Sequence, residues 1–148
     1  MTGRGSGPWW CNVGAFANVI SRWSSNTKRD YTRATQAAVE ELFSLIVLRT
    51  PVDTGRARAN WTVGLGAPNT TFNQAWFDKS GEDTISRARS VIRRMAQGET
   101  AYIGNQTPYV IYLEYGHSGQ APAGMVRISV ADMRGRINQR LTTMAFGK

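Results

Sequence analysis

The sequence predicts an α+β fold: a small antiparallel sheet packed by a long helix in the N-terminal half and a second helix at the C-terminus. Three observations carry this expectation. Apolar residues recur at three- and four-residue steps from about Asp30 to Arg49, and again from Met125 onward. Between them, Ala59 to Gly66 and Thr100 to Gly104 read as strands. A chain of 148 residues holds material for one core and not for two.

Residues 1–29 read as a flexible leader and short helix, a candidate inter-subunit arm, set before a single domain at 30–148. Met1 to Pro8 is glycine-rich and runs into Trp9, Trp10 and Cys11, an apolar anchor that either docks on a neighbour or covers the chain's own core. Asn12 to Trp23 reads as a short helix presenting Phe16, Val19, Ile20 and Trp23, with Ser24, Ser25 and Asn26 as its break. In the long helix, Tyr31, Ala34, Ala38, Leu42 and Leu45 form the stripe and Val39, Phe43 and Ile46 widen it. Thr50-Pro51 ends it, because the residue before a proline is pushed away from helical angles.

In the first strand, Trp61, Val63 and Leu65 share a face. Asn69 to Phe77 is polar and turn-rich and reads as a long loop. Ser80 and Asp83 resemble a capping box before a second helix, whose apolar face holds Ile85, Ala88, Ile92 and Met95. Its other face carries Arg87, Arg89, Arg93 and Arg94, either a solvated surface or an acidic or phosphate contact. Tyr109 to Gly116 fits helix or strand by period, and Pro108 before it with Gly116 after it favours a short helix. His117 to Gly124 is a loop. In the last helix Val126, Val130, Met133, Ile137, Leu141 and Met144 form the stripe, with Arg127, Arg134, Arg136 and Arg140 away from it.

Eighteen basic residues against ten acidic give +8, and all but Lys28, Lys79 and Lys148 of the basic ones are arginine. Arginine's planar fork suits carboxylates across subunit contacts as well as phosphates. The charges are spread along the chain, which weakens a reading as a dedicated nucleic-acid-binding arm. No apolar run approaches the roughly 20 residues needed to cross a bilayer, so no membrane association is expected. The N-terminus lacks the apolar core of a secretory leader, which predicts a protein that stays in the cytoplasm where it is made; the lone Cys11 cannot form an internal disulfide, in agreement with a reducing compartment.

Asp53-Thr54-Gly55 matches the tripeptide of aspartic proteases, but it follows a helix and Thr50-Pro51-Val52, and Arg56 and Arg58 would hold the carboxylate ionised. A structural turn made by Pro51, Asp53, Thr54 and Gly55 is the expected role. One histidine, His117, and one cysteine leave no metal site built from paired Cys or His ligands within a chain. No catalytic residue and no cofactor are predicted, and the chain is not expected to be an enzyme. Glu114 is expected to pair with Arg56 or Arg58.

Three blocks in order resemble the tail-completion, or head-to-tail joining, family of long-tailed bacteriophages. The first is a long helix ending in Thr50-Pro51-Val52-Asp53-Thr54-Gly55-Arg56-Ala57-Arg58, similar to the family's helix followed by Pro-x-Asp-Thr-Gly-x-Leu-Arg. The second is Tyr109 through Gly116, in which Tyr112-Leu113-Glu114-Tyr115-Gly116 is similar to a family segment with Glu, an aromatic and Gly in succession, and the third is Gln120-Ala121-Pro122 before a terminal helix. Ala57 stands where the family has leucine. The resemblance implies a structural virion protein of the neck, forming a ring, six-fold by expectation, that joins the capsid connector to the tail and lets DNA pass. Its implied partners are copies of itself, other neck and connector proteins, and tail-tube or tail-terminator proteins, with non-specific DNA contact in the lumen. Exposure and composition place candidate inter-subunit contacts at Trp9, Trp10, Phe72, Trp76, Phe77, His117, Gln120 and Pro122. The competing expectation is a sequence-independent DNA-binding protein using its arginine-rich helix faces, with affinity falling steeply with salt.

Overall fold

The computed structural model describes residues 13–146. Trp9, Trp10 and Cys11 lie outside the described residues. Five helices and two strands follow in the order α1 (Val13–Arg49), α2 (Arg56–Ala59), β1 (Trp61–Leu65), α3 (Glu82–Ile92), β2 (Ala101–Asn105), α4 (Val110–Glu114) and α5 (Val126–Phe146). The architecture is α+β, as the periodicities predict. Among the described residues, no helix is long and apolar enough to cross a membrane.

The first departure lies in α1. The break expected at Ser24, Ser25 and Asn26 is absent, and one 37-residue helix runs through the expected boundary between leader and domain. Hydroxyls along it are accommodated by bonding the carbonyl four residues back: Thr27 to Trp23 at 2.9 Å, Thr32 to Lys28 at 2.9 Å and Thr35 to Tyr31 at 2.9 Å. Asn26 accepts from Arg29 one turn on. Asn26 and Thr27 thus find partners within the helix and do not compete with its backbone ladder.

Strands β1 and β2 pair antiparallel with Trp61 opposite Asn105, Val63 opposite Ile103 and Leu65 opposite Ala101. Trp61 and Val63 are buried on one face, as their alternation requires. They meet Phe43, Ile46 and Val47 of α1, Ala88 and Ile92 of α3, and Met125 just before α5. Each buried Val, Ile, Phe or Met side chain among them contributes about 1.5–3 kcal/mol relative to exposure. The buried centre of α1 is thus the flank Val39, Phe43 and Ile46, while Tyr31 of the expected stripe is 61% exposed. Among the described side chains of the stripe expected on α5, Met133 is buried, Val126 packs partly on the core, and Val130 and Ile137 are 41% and 42% exposed. The side chains of Leu141 and Met144 lie outside what is described.

Inside this core Thr50 is 1% exposed, and its hydroxyl donates to the Ile46 carbonyl at 2.8 Å while accepting from the Trp61 indole at 2.7 Å. The last turn of α1 is therefore tied to the first residue of β1 by one hydroxyl.

Candidate functional site

The three sequence blocks that are far apart in the chain converge in space. Pro51, Asp53, Gly55 and Ala57 from the turn after α1, Tyr109 and Leu113 around α4, and Ser118 and Gln120 from the next loop line one groove of about 240 Å³. Gln120 closes it at one side: its carboxamide accepts from the Val52 N–H at 2.8 Å and donates to the Val52 carbonyl at 3.2 Å. A side chain here pairs with main chain as a neighbouring strand would.

The Asp-Thr-Gly turn is structural in its bonding. Gly55 has φ +88°, and a Cβ there would lie 2.8 Å from the backbone carbon of Asp78. Its carbonyl accepts from the N–H of Ala59 at 2.9 Å and of Asp78 at 3.2 Å. The Thr54 hydroxyl accepts from the Arg56 N–H at 3.3 Å, and Asp53 is exposed. Arg58 donates to the carbonyls of Leu48 at 3.0 Å and Thr50 at 2.9 Å, and also to that of Lys79, capping the end of α1. Burial lowers its pKa from the usual value, and the Asp78 carboxylate offsets part of that.

Asp78, which the sequence reading passed over, is the hub of the next junction. It is 7% exposed, and it replaces the expected Ser80–Asp83 capping box. One oxygen accepts from the Gly81 N–H at 2.7 Å and the Ser80 hydroxyl at 3.0 Å; the other accepts from the Thr84 N–H at 2.9 Å and hydroxyl at 2.8 Å. Burial pushes this carboxyl up, but the Thr84, Gly81 and Ser80 donors outweigh it and hold it at about 2. The pattern Asp78-Lys-Ser80-Gly81 before Thr84 was the available signal, two residues upstream of the box inferred from sequence.

The expected pairing of Glu114 with Arg56 or Arg58 is not formed, because both arginines are engaged elsewhere. Glu114 instead turns to the start of α5, where its carboxylate accepts from the N–H groups of Met125 at 2.9 Å, Val126 at 2.8 Å and Arg127 at 3.0 Å. The Arg127 side chain joins at 3.1 Å. Burial raises the Glu114 carboxyl, and the amides of Val126, Arg127 and Met125 with the Arg127 side chain bring it below the ordinary range. Gly116, at φ +84°, lets the chain double back: a Cβ would sit 2.4 Å from the Pro122 carbonyl oxygen.

The remaining side chains of α4 divide cleanly. Val110 and Leu113 pack on the core, while Ile111, Tyr112 and Tyr115 are 63%, 61% and 67% exposed. His117 is exposed, with its ring edge-on to Tyr112 at 5.6 Å and its Nδ1 3.1 Å from the Tyr112 carbonyl. Phe72 and Pro122 are exposed. Trp76 lies under the Arg87 guanidinium at 4.2 Å and the exposed Phe77 under that of Arg56 at 5.2 Å.

The basic face of α3 is partly engaged within the chain. Arg87 also donates to the Ala59 carbonyl at 2.7 Å, and Arg89 pairs with Glu40 of α1. Arg49 with Asp132, and Arg136 with Glu41, tie α1 to α5 in the same way. Arg93 and Arg94 are exposed where α3 ends. Among the described residues no group of three or more His, Cys, Asp or Glu side chains is placed to hold a metal ion.

The sequence model of one family, described as "Bacteriophage HK97-gp10, putative tail-component", matches residues 14–116. No curated protein and no solved structure matches the chain.

Proposed function

The chain belongs to the HK97-gp10-like family of bacteriophage tail components, and from that premise we propose that it is a non-catalytic ring subunit of the phage neck. In this reading copies of the chain close a ring between the capsid connector and the tail, and DNA passes through its opening. One observation carries it. The residues of the sequence blocks are tied into scaffolding, Glu114 at the α5 amides, Arg58 at the end of α1 and Gly55 against Asp78, while large apolar side chains stay uncovered at Trp23, Ile111, Tyr112 and Tyr115. Such an arrangement favours gripping macromolecules over transforming a small substrate. A closed ring needs one patch to meet a different patch on the next copy.

Reading the chain instead as a dedicated DNA-binding protein has less support, since Arg49, Arg87, Arg89, Arg127 and Arg136 are engaged within the subunit. Native mass spectrometry and electron microscopy of the purified chain test the proposal. A closed ring that joins to tails is the expected result; a chain monomeric at every concentration, and inert toward tails, overturns it.

A further inference from the structure

Helix α1 carries two apolar stripes on opposite sides of one rod. Counting 3.6 residues per turn, Val19, Ile20, Trp23 and Tyr31 fall within about 120° of arc. Val39, Phe43, Ile46, Val47 and Thr50 fall within about 100°, centred roughly 170° away. The second stripe is buried in the core of its own subunit. The first points away from that core, and its members are 61%, 47%, 67% and 61% exposed. Tyr31 borders a pocket with Met95 to Glu99 of its own subunit, and Val19, Ile20 and Trp23 lie further out along the rod.

We infer that the projecting part of α1 docks through Val19, Ile20 and Trp23 on the patch formed by Ile111, Tyr112 and Tyr115 of a second copy of this chain. The inference rests on the ring reading and names its interface. Area and charge choose this occupant. Each surface offers on the order of 400 Å² of apolar area, given the size of its aromatic side chains. One arm on one patch covers about 800 Å² of apolar surface on the two sides together, and a polar rim of about 400 Å² brings it to the roughly 1,200 Å² at which specific interfaces begin. Two arms packed on each other would oppose like charge, because residues 13–33 hold Arg22, Lys28, Arg29 and Arg33 against Asp30 alone. The segment 95–126 around α4 contains no lysine or arginine, and the Arg127 guanidinium that lies 5.2 Å over the Tyr115 ring is paired with Glu114, so the patch adds no net positive charge to that of the arm. The contact is heterologous, so repeating it carries the chain around a ring.

Cysteine cross-linking tests this in the full chain with Cys11 replaced by serine, so that engineered thiols are the only ones. An equimolar mixture of Trp23→Cys and Ile111→Cys chains is expected to give a disulfide-linked heterodimer on oxidation, and neither variant alone is expected to link. Trp23→Glu and Tyr112→Glu are expected to weaken assembly at least tenfold by native mass spectrometry while leaving the circular dichroism of the folded subunit unchanged. Val19→Cys with Tyr115→Cys repeats the test should the first pair fold poorly. Cross-linking of Trp23→Cys with itself overturns the inference in favour of arm-on-arm packing. So does a monomer that binds anionic vesicles through Trp23. A ring that forms in both glutamate variants, without the mixed disulfide, overturns the inference and leaves the ring reading standing. A chain that never assembles removes both.

Discussion

Glu114 holds Arg127 at three points: its carboxylate accepts from the Arg127 N–H and Nε, and its main-chain carbonyl accepts from Nη2 at 2.7 Å. The carboxylate is largely buried and the guanidinium largely exposed. The backbone amides should therefore matter more than the ion pair. Glu114→Ala is expected to lower the unfolding free energy by about 2–3 kcal/mol, and Arg127→Ala by less than about 1 kcal/mol, in urea titrations. Equal losses would make the ion pair the main support of this corner.

Asp78 organises the start of α3 through four donors. Asp78→Ala should cost about 2–3 kcal/mol and speed hydrogen exchange at the Thr84 amide. Ser80→Ala, which removes one donor, should cost under about 1 kcal/mol. If Ser80→Ala proves the more damaging, the capping box suggested by the sequence is the true cap.

Acid should unfold the chain through these two carboxylates. The Asp78 carboxyl goes from 3.8 to about 2 on folding, and Glu114 is shifted in the same direction. A folded-state pKa below the unfolded one stabilises above the unfolded value, and that stability is lost as pH falls through the folded value. Stability should hold near neutrality and fall from about pH 4 toward pH 2. In Asp78→Asn the fall should be shallower; an unchanged acid profile would show that Asp78 is not a source of the pH dependence.

The Trp61 indole and the Thr50 hydroxyl are both buried and bonded to each other. Trp61→Phe leaves that hydroxyl without its indole partner and leaves a gap, at an expected cost of about 2–3 kcal/mol. The double variant Thr50→Val, Trp61→Phe should cost less than the sum of the singles, by about 1 kcal/mol. Strict additivity in thermal or urea unfolding would deny the coupling.

Much of the fold was legible because period and burial share a cause: α3, both strands and the short α4 lie where apolar spacing and the glycine and proline residues put them, while α5 lies where expected but leaves Val130 and Ile137 of its stripe exposed. What escaped was long-range choice among equivalent donors. Arg56 and Arg58 were plausible partners for Glu114 by charge, yet Arg58 found the carbonyls ending α1 and Glu114 found open amides. Ser24 to Asn26 looked like a break because composition does not show that Asn26 will find its partner one turn on, at Arg29. The groove was half legible: its three blocks stand out in the sequence, but Asp78, which fixes the turn beside it, belongs to none of them.

A rod of 37 residues spans about 55 Å, and here only its later turns are rooted in packed side chains. Mechanically it is a lever. A tilt of roughly 5° about a pivot near Val39 sweeps Val13, about 39 Å away, through about 3 Å. In the proposed ring, spacing between copies would be set at the tip of each rod, while the sheet with its surrounding helices stays as it is.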